Sequence, residues 1–209
     1  MLRIAVLLSG RGSNLSALLK RENQSSYKVS CVLSDRLEAN GLDLAKRHCV
    51  PKVGCIDYAS LEQRAEKQLH ESLIVEDIDL IVLAGFMRIL SPGFVKFWHG
   101  KLINIHPSLL PSFKGLGVHK RALQARVHFA GCSVHYVTEE LDGGPIIGQA
   151  VTGVREDDDK STLESRVLTL EHKLYPMVVH AIANQDVWFE QGLAKFKPGV
   201  FEQLRLADL

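Results

Sequence analysis

No two of the four cysteines, Cys31, Cys49, Cys55 and Cys132, make a Cys-x-x-Cys pair. A zinc ribbon and a thioredoxin-like dithiol are thereby disfavoured, and the scattered thiols read as reduced cysteines in or near the core of an intracellular protein. Charge of one sign is also missing: 25 basic residues face 24 acidic ones, for a formal net charge of +1. Proteins that live on nucleic acid or an anionic membrane usually carry a basic excess, so neither partner is expected and any anion recognition must be local. The opening apolar run stops at Ser9-Gly10-Arg11-Gly12, too early for a signal-peptide core. No later stretch approaches the ~18 apolar residues of a membrane span, so a cytoplasmic location is expected. Nine histidines are present, but no His-x-x-x-His or His-Glu-x-x-His spacing, and His119, His128 and His135 fall on different elements. No catalytic metal is expected.

What remains is a chain of 209 residues, 46% hydrophobic and 23% charged, able to bury a proper core. With no internal repeat and no linker rich in Pro, Gly or Ser, a single domain over 1–209 is expected. Leu2 to Leu8, Val29 to Ser34, Asp79 to Ala84 and Lys101 to Ile105 are apolar runs of strand length, continuous rather than alternating. Between them, Ser13 onward, Ala39 to His48 and Leu61 to Val75 carry helical spacing. Continuous strands alternating with helices imply a parallel sheet covered on both faces. The second half changes: Cys132 to Thr138 alternates, Gly143-Gly144-Pro145 breaks the chain, and Ile146 to Val154 reads as a paired strand. Ser161 to Ala183 is a long helix, with Ser161 and Glu164 as its expected capping box and Glu156 to Asp159 before it as a solvated acidic loop. The tail from Lys197 shows no partner element.

Three places carry chemistry. Ser9-Gly10-Arg11-Gly12-Ser13-Asn14 joins the first strand to the first helix, where unpaired backbone N–H groups suit a phosphate. The third glycine of a dinucleotide fingerprint is replaced by Leu15 and no P-loop lysine follows. The stretch is either a single-phosphate site or an ordinary tight turn. Asn104 and His106 lie two apart near the end of a strand, hence on one face. A carboxamide beside an imidazole suits acyl transfer by oxyanion stabilisation and proton donation, and with no Gly-x-Ser-x-Gly or nearby cysteine the transfer would be direct. The alternative is a polar pair that only satisfies buried backbone groups. Asp142, between Leu141 and Gly143, either forms a turn or is aimed at His106, directly or through water.

Four stretches in order, Leu8 to Leu15, Leu83 to Ser91, Asn104 to Pro111 and Leu141 to Pro145, resemble the folate-dependent formyltransferases, in particular the phosphoribosylglycinamide formyltransferase family of purine biosynthesis. The resemblance covers the chain to about Ala183. It implies an α/β, Rossmann-like fold, a mostly parallel sheet with helices on both faces and antiparallel pairing in the C-terminal part. Within the single domain, about 1–100 would bind the ribonucleotide phosphate and about 101–190 the folate, with catalysis there and 197–209 as a tail. By motif, Asn104, His106 and Asp142 would be catalytic, and Gly12, Ser13, Asn14 and Glu171 would bind the ribonucleotide. Arg64, Met87, Arg88, Ile89, Leu90, Asn104 and Thr138, Glu139, Glu140, Leu141 and Asp142 would bind the folate, the 138–142 loop closing over its pterin. The loop Lys114 to His119 would lie near the phosphate. No cofactor would be bound: 10-formyltetrahydrofolate is a co-substrate, glycinamide ribonucleotide the acceptor, and the protein a monomer or weak homodimer.

Rival readings remain on this fold. A formyltetrahydrofolate hydrolase would share Asn, His and Asp but is expected to carry an extra N-terminal domain, for which a first strand at Leu2 leaves no room. Transfer RNA formyltransferases would add a basic C-terminal domain. A non-catalytic nucleotide or folate sensor would not need Asn104, His106 and Asp142 together. A nicotinamide-dependent oxidoreductase is disfavoured by the missing third glycine, and Asp35 near the second strand's end is only weak support for it.

Overall fold

Ile4 to Leu8 have no surface left to solvent, because a parallel strand between parallel neighbours is covered on both faces. This run is β1 (Leu2–Leu8). In the computed structural model, which describes residues 1–58 and 62–208, it is flanked in register by β2 (Tyr27–Ser34) and β4 (Leu80–Leu83), both parallel to it. β3 (Lys52–Cys55) continues the sheet beyond β2, also parallel. Truncating a residue such as Leu7 or Ile81 in this layer to Ala would cost ~2–5 kcal/mol. The connecting helices are α1 (Ser13–Glu22), α2 (Asn40–Arg47) and α3 (Glu62–Val75), with α4 (Pro92–Phe97) after β4. Leu61, where the sequence pattern starts the third helix, lies outside the described residues. β3 escapes the pattern because Lys52-Val53-Gly54-Cys55 is not a continuous apolar run, and α4 because a six-residue helix is too short to establish a period.

The chain divides into two compact units, Met1–Ile103 and Asn104–Leu209, the division falling inside β5 (Leu102–His106). In the second unit α5 (Val118–Gln124) precedes β6 (Phe129–Tyr136) and β7 (Ile146–Gly153), which pair antiparallel. The long helix α6 (Lys160–Ala183) packs on both. The strand order is β3-β2-β1-β4 in the first unit and, with a last strand β10 at Arg205–Asp208, β5-β6-β7-β10 in the second. The architecture is α/β and mostly parallel, with antiparallel pairing in the C-terminal part.

Three expectations are corrected. The tail from Lys197 has a partner: after the hairpin of β8 (Val187–Glu190) and β9 (Leu193–Phe196) comes a short turn of helix, α7 (Val200–Gln203), and then β10 (Arg205–Asp208), which adds to β7 in parallel. The N–H of Gln149 donates to the carbonyl of Leu204, and a side chain at Gly148 would stand 2.9 Å from that same oxygen. The cap of α6 is not Ser161 with Glu164. Asp159 accepts from the backbone N–H of Thr162, whose hydroxyl accepts in return from the backbone N–H of Asp159. The acidic stretch is therefore not merely solvated. Asp158 is buried in a two-pronged pair with Arg166, and that guanidinium holds its carboxyl down at about 2.

Candidate active site

β5 delivers two polar side chains to one place in the second unit. Asn104 and His106 alternate with Ile103 and Ile105, which are buried apolar residues, so the strand's period of two puts amide and imidazole on the same face. The β6–β7 loop brings the carboxylate. Asp142 sits at φ 48, a left-handed conformation that a non-glycine residue adopts only under local constraint. The constraint is visible next to it: a side chain at Gly144 would meet the carbonyl oxygen of Tyr136 at 1.8 Å, while the N–H of Tyr136 donates to the carbonyl of Pro145. With the loop pinned this way, Asp142 Oδ2 lies 3.4 Å from His106 Nδ1. The other ring nitrogen of His106, Nε2, lies 3.0 Å from the carbonyl oxygen of Phe113. Both side chains of the pair are only 8% exposed, where charge–charge and hydrogen-bond energies exceed their values in water.

A fourth member, His135 on β6, was not selected by sequence reasoning. Its Nδ1 donates to the carbonyl of Tyr136 at 2.9 Å, since a carbonyl can only accept. Burial lowers its proton affinity, so the ring is neutral and Nε2 presents a lone pair. That lone pair accepts from the Asn104 amide nitrogen at 3.2 Å. The reverse amide orientation would set two acceptors against each other, so His135 fixes which end of Asn104 points where. Asp142 Oδ1 lies 3.7 Å from the same Nε2. The sequence signal was faint: His135 is one of several histidines, inside a strand pattern that reads as core. Among the described residues no group of three or more His, Cys, Asp and Glu side chains is placed to hold a metal ion.

The first unit holds the glycine turn. Gly12 caps α1 at φ 79, and a side chain there would stand 2.7 Å from the Cα of Gly41. The turn is thus wedged against the start of α2, where the N–H of Gly41 donates to the carbonyl of Gly10. The first turn of α1 has no acidic residue and no side-chain cap, and helical bonding begins at Ser16 N–H to Gly12 carbonyl. That leaves the positive end of the helix without a side-chain cap, a setting for an anion.

Close by in the same unit, Met87 to Leu90 follow β4. Three side chains from elsewhere in the sequence hold this segment. The hydroxyl oxygen of Ser9 accepts from Met87 N–H at 2.8 Å, and the buried Asp35 carboxylate accepts from Arg88 Nε at 2.9 Å. Glu66 accepts from both the N–H and the hydroxyl of Ser91. Arg88 also lies over the Tyr58 ring, 5.2 Å from its centroid. Asp35 is thus an anchor for Arg88. Met87 and Ile89 stay exposed, at 58% and 85%, while Leu90 turns into the core. Arg64 is exposed in the first turn of α3, two residues before Glu66.

In the second unit Glu139, Glu140 and Leu141 are exposed and Thr138 is half-buried. Lys114 Nζ pairs with Glu140 at 2.6 Å and Gly115 N–H donates to Asp142 Oδ2 at 2.8 Å, so the loop after Phe113 packs on the 138–142 loop. Glu171 is buried on α6, where its charge is felt by Tyr175 one turn on and by Cys132 of β6, both thiol and phenol being pushed up chiefly by burial.

An α/β fold with a half-buried amide beside a buried imidazole and carboxylate, and no serine or cysteine paired to the imidazole among the described residues, defines a class: enzymes that pass an acyl group directly between two small molecules. Residues 2–179 match the formyl transferase family, and the chain belongs to it. It is 41% identical to the phosphoribosylglycinamide formyltransferase of Escherichia coli, over 93% of this chain and 90% of that protein. It is 44% identical to the human trifunctional purine biosynthetic protein adenosine-3, over 88% of this chain, which spans only 19% of that protein's length. Among solved structures, the phosphoribosylglycinamide formyltransferase of Anaplasma phagocytophilum matches with a TM-score of 0.92 at 43% identity, covering 100% of this chain and 99% of the other.

Proposed function

We propose that this enzyme transfers the formyl group of 10-formyltetrahydrofolate to the primary amine of glycinamide ribonucleotide, in purine biosynthesis. The observation that carries the reading is the convergence of Asn104, His106 and Asp142 in one largely buried cluster of a formyltransferase chain. The amine attacks the formyl carbon on N10 and the carbonyl electron pair moves to oxygen. The Asn104 amide, held by His135, donates to that oxygen, and the protonated His106 ring stabilises its charge. The proton lost by the attacking nitrogen passes through Asp142 and His106 to N10. The C–N10 bond then breaks, releasing tetrahydrofolate and the formylated ribonucleotide. The two nitrogens of His106 divide the work: Nε2 donates to the fixed Phe113 carbonyl, while Nδ1, at the longer 3.4 Å from Asp142, is the one that exchanges protons.

Gly12, Ser13 and Asn14 are assigned to the ribonucleotide phosphate, supported by the uncapped positive end of α1, and Glu171 to the rest of the ribonucleotide. The exposed apolar Met87 and Ile89, with the main chain of Arg88 and Leu90, are assigned to the pterin, joined by Asn104 and by Thr138 to Asp142. Arg64, exposed near this segment, is assigned to the folate tail. The test is a spectrophotometric deformylation assay of 10-formyltetrahydrofolate with and without glycinamide ribonucleotide. Turnover only with the ribonucleotide is expected. Turnover without it would make the protein a hydrolase, and binding of both ligands without turnover would make it a sensor.

A further inference from the structure

The catalytic pair is held from one side by a short loop that the proposed reaction does not itself use. Phe113 gives its carbonyl to His106 Nε2, and two residues later Gly115 gives its N–H to Asp142 Oδ2. One loop therefore sets both partners of the 3.4 Å contact between imidazole and carboxylate. Its backbone is unusual for five residues: Phe113, Gly115 and Gly117 all have positive φ, at 56, 75 and 69. Glycine takes such a φ freely, but Phe113 does so only at a cost, and α5 supplies the restraint that holds it. Arg121 donates through Nη1 to the carbonyls of Lys114 at 2.6 Å and Leu116 at 3.3 Å. Its guanidinium also lies 5.6 Å from the centre of the Phe113 ring.

We propose that Arg121 is a positioning residue for the reaction: it locks the 113–117 loop so that the Phe113 carbonyl and the Gly115 N–H hold His106 and Asp142 in register for proton transfer. The inference rests on the reading of His106 and Asp142 as the proton-handling pair. Because the loop touches catalytic groups, its loosening lowers kcat and leaves ligand binding nearly unchanged. Two variants probe the loop independently. Arg121→Ala removes an exposed side chain. Gly115→Ala adds a methyl with no atom within 4 Å, so it acts only through the φ of 75.

The experiment measures kcat and both KM values for the two variants beside wild type and His106→Ala, with melting temperature as a check of folding. Both variants are expected to lose about 5- to 50-fold in kcat, as small misplacements of reacting groups do, with each KM within about twofold. Wild-type kcat in either variant overturns the proposal, and so does a KM rise that matches or exceeds the fall in kcat. Near-wild-type turnover in His106→Ala would overturn the reading of the pair as well; its loss of activity beside an unaffected Arg121→Ala would sink the loop proposal alone.

Discussion

The two chemical regions of this molecule are made of different material. The glycine turn of the first unit is made of main chain: Gly12, at φ 79 and packed onto Gly41, leads into α1 with no side chain acting as its cap. The cluster of the second unit is made of side chains drawn from β5, β6 and the β6–β7 loop, each oriented by a hydrogen bond to another segment. A main-chain site is robust to which side chains flank it but intolerant of any that enters it. A side-chain site tolerates backbone detail but fails when one proton carrier is lost. Substitutions should therefore damage the two regions in different currencies: turnover in one, stability and affinity in the other.

The largest effect is expected in the side-chain cluster. His106→Ala and Asp142→Asn should each lower turnover by ~10²–10⁴-fold while ribonucleotide binding, read by calorimetry, persists. A variant that keeps more than roughly a tenth of the wild-type rate would break the contrast between the regions. At the glycine turn a smaller effect of another kind is expected. Gly12→Val would place a branched side chain 2.7 Å from the Gly41 Cα at a φ it does not adopt, costing ~2–4 kcal/mol of stability. Its ribonucleotide KM should rise more than its folate KM. Gly10→Ala, with nothing within 4 Å of the added methyl, is the control and should be close to neutral. Equal rises in both KM values would remove the phosphate from this loop.

The smallest effect concerns protonation in the second unit. Burial lowers the proton affinity of His119 and His135 below the ordinary value of 6.5. The unfolded chain then binds more protons than the native one, so their full stability contribution is present above pH 6.5 and is lost as pH falls below it. Urea unfolding at pH 7.5 and 5.5 should show a drop that shrinks in His119→Gln and again when His135→Gln is added. An unchanged drop in the double variant would mean that other groups carry the acid sensitivity.

Asp35 and His135 mark the boundary of what sequence can say about the site. Asp35 sits where a nucleotide-binding acid stands in an oxidoreductase; the structure gives it to Arg88, 53 positions away. His135 reads as one more residue of a β pattern, and only its place across from Asn104 makes it a determinant of the amide's orientation. Neither pairing has a local pattern, because a hydrogen bond between strands leaves no fixed spacing in the chain.

By itself the sequence determined the local periodicities, which is why β1, β2, β4, β5 and α6 lie near their expected positions, and the short motifs that carry the family resemblance. Continuous apolar runs, glycines at a strand–helix turn and two polar residues on one strand face are properties of neighbouring residues, dictated by backbone geometry. The tertiary structure decided the rest: the addition of β10 to β7, the Asp159 cap in place of Ser161, the anchoring of the 87–91 segment and the grip of the 113–117 loop on His106 and Asp142. Each depends on groups distant in the chain meeting at hydrogen-bond distance, which folding alone brings about.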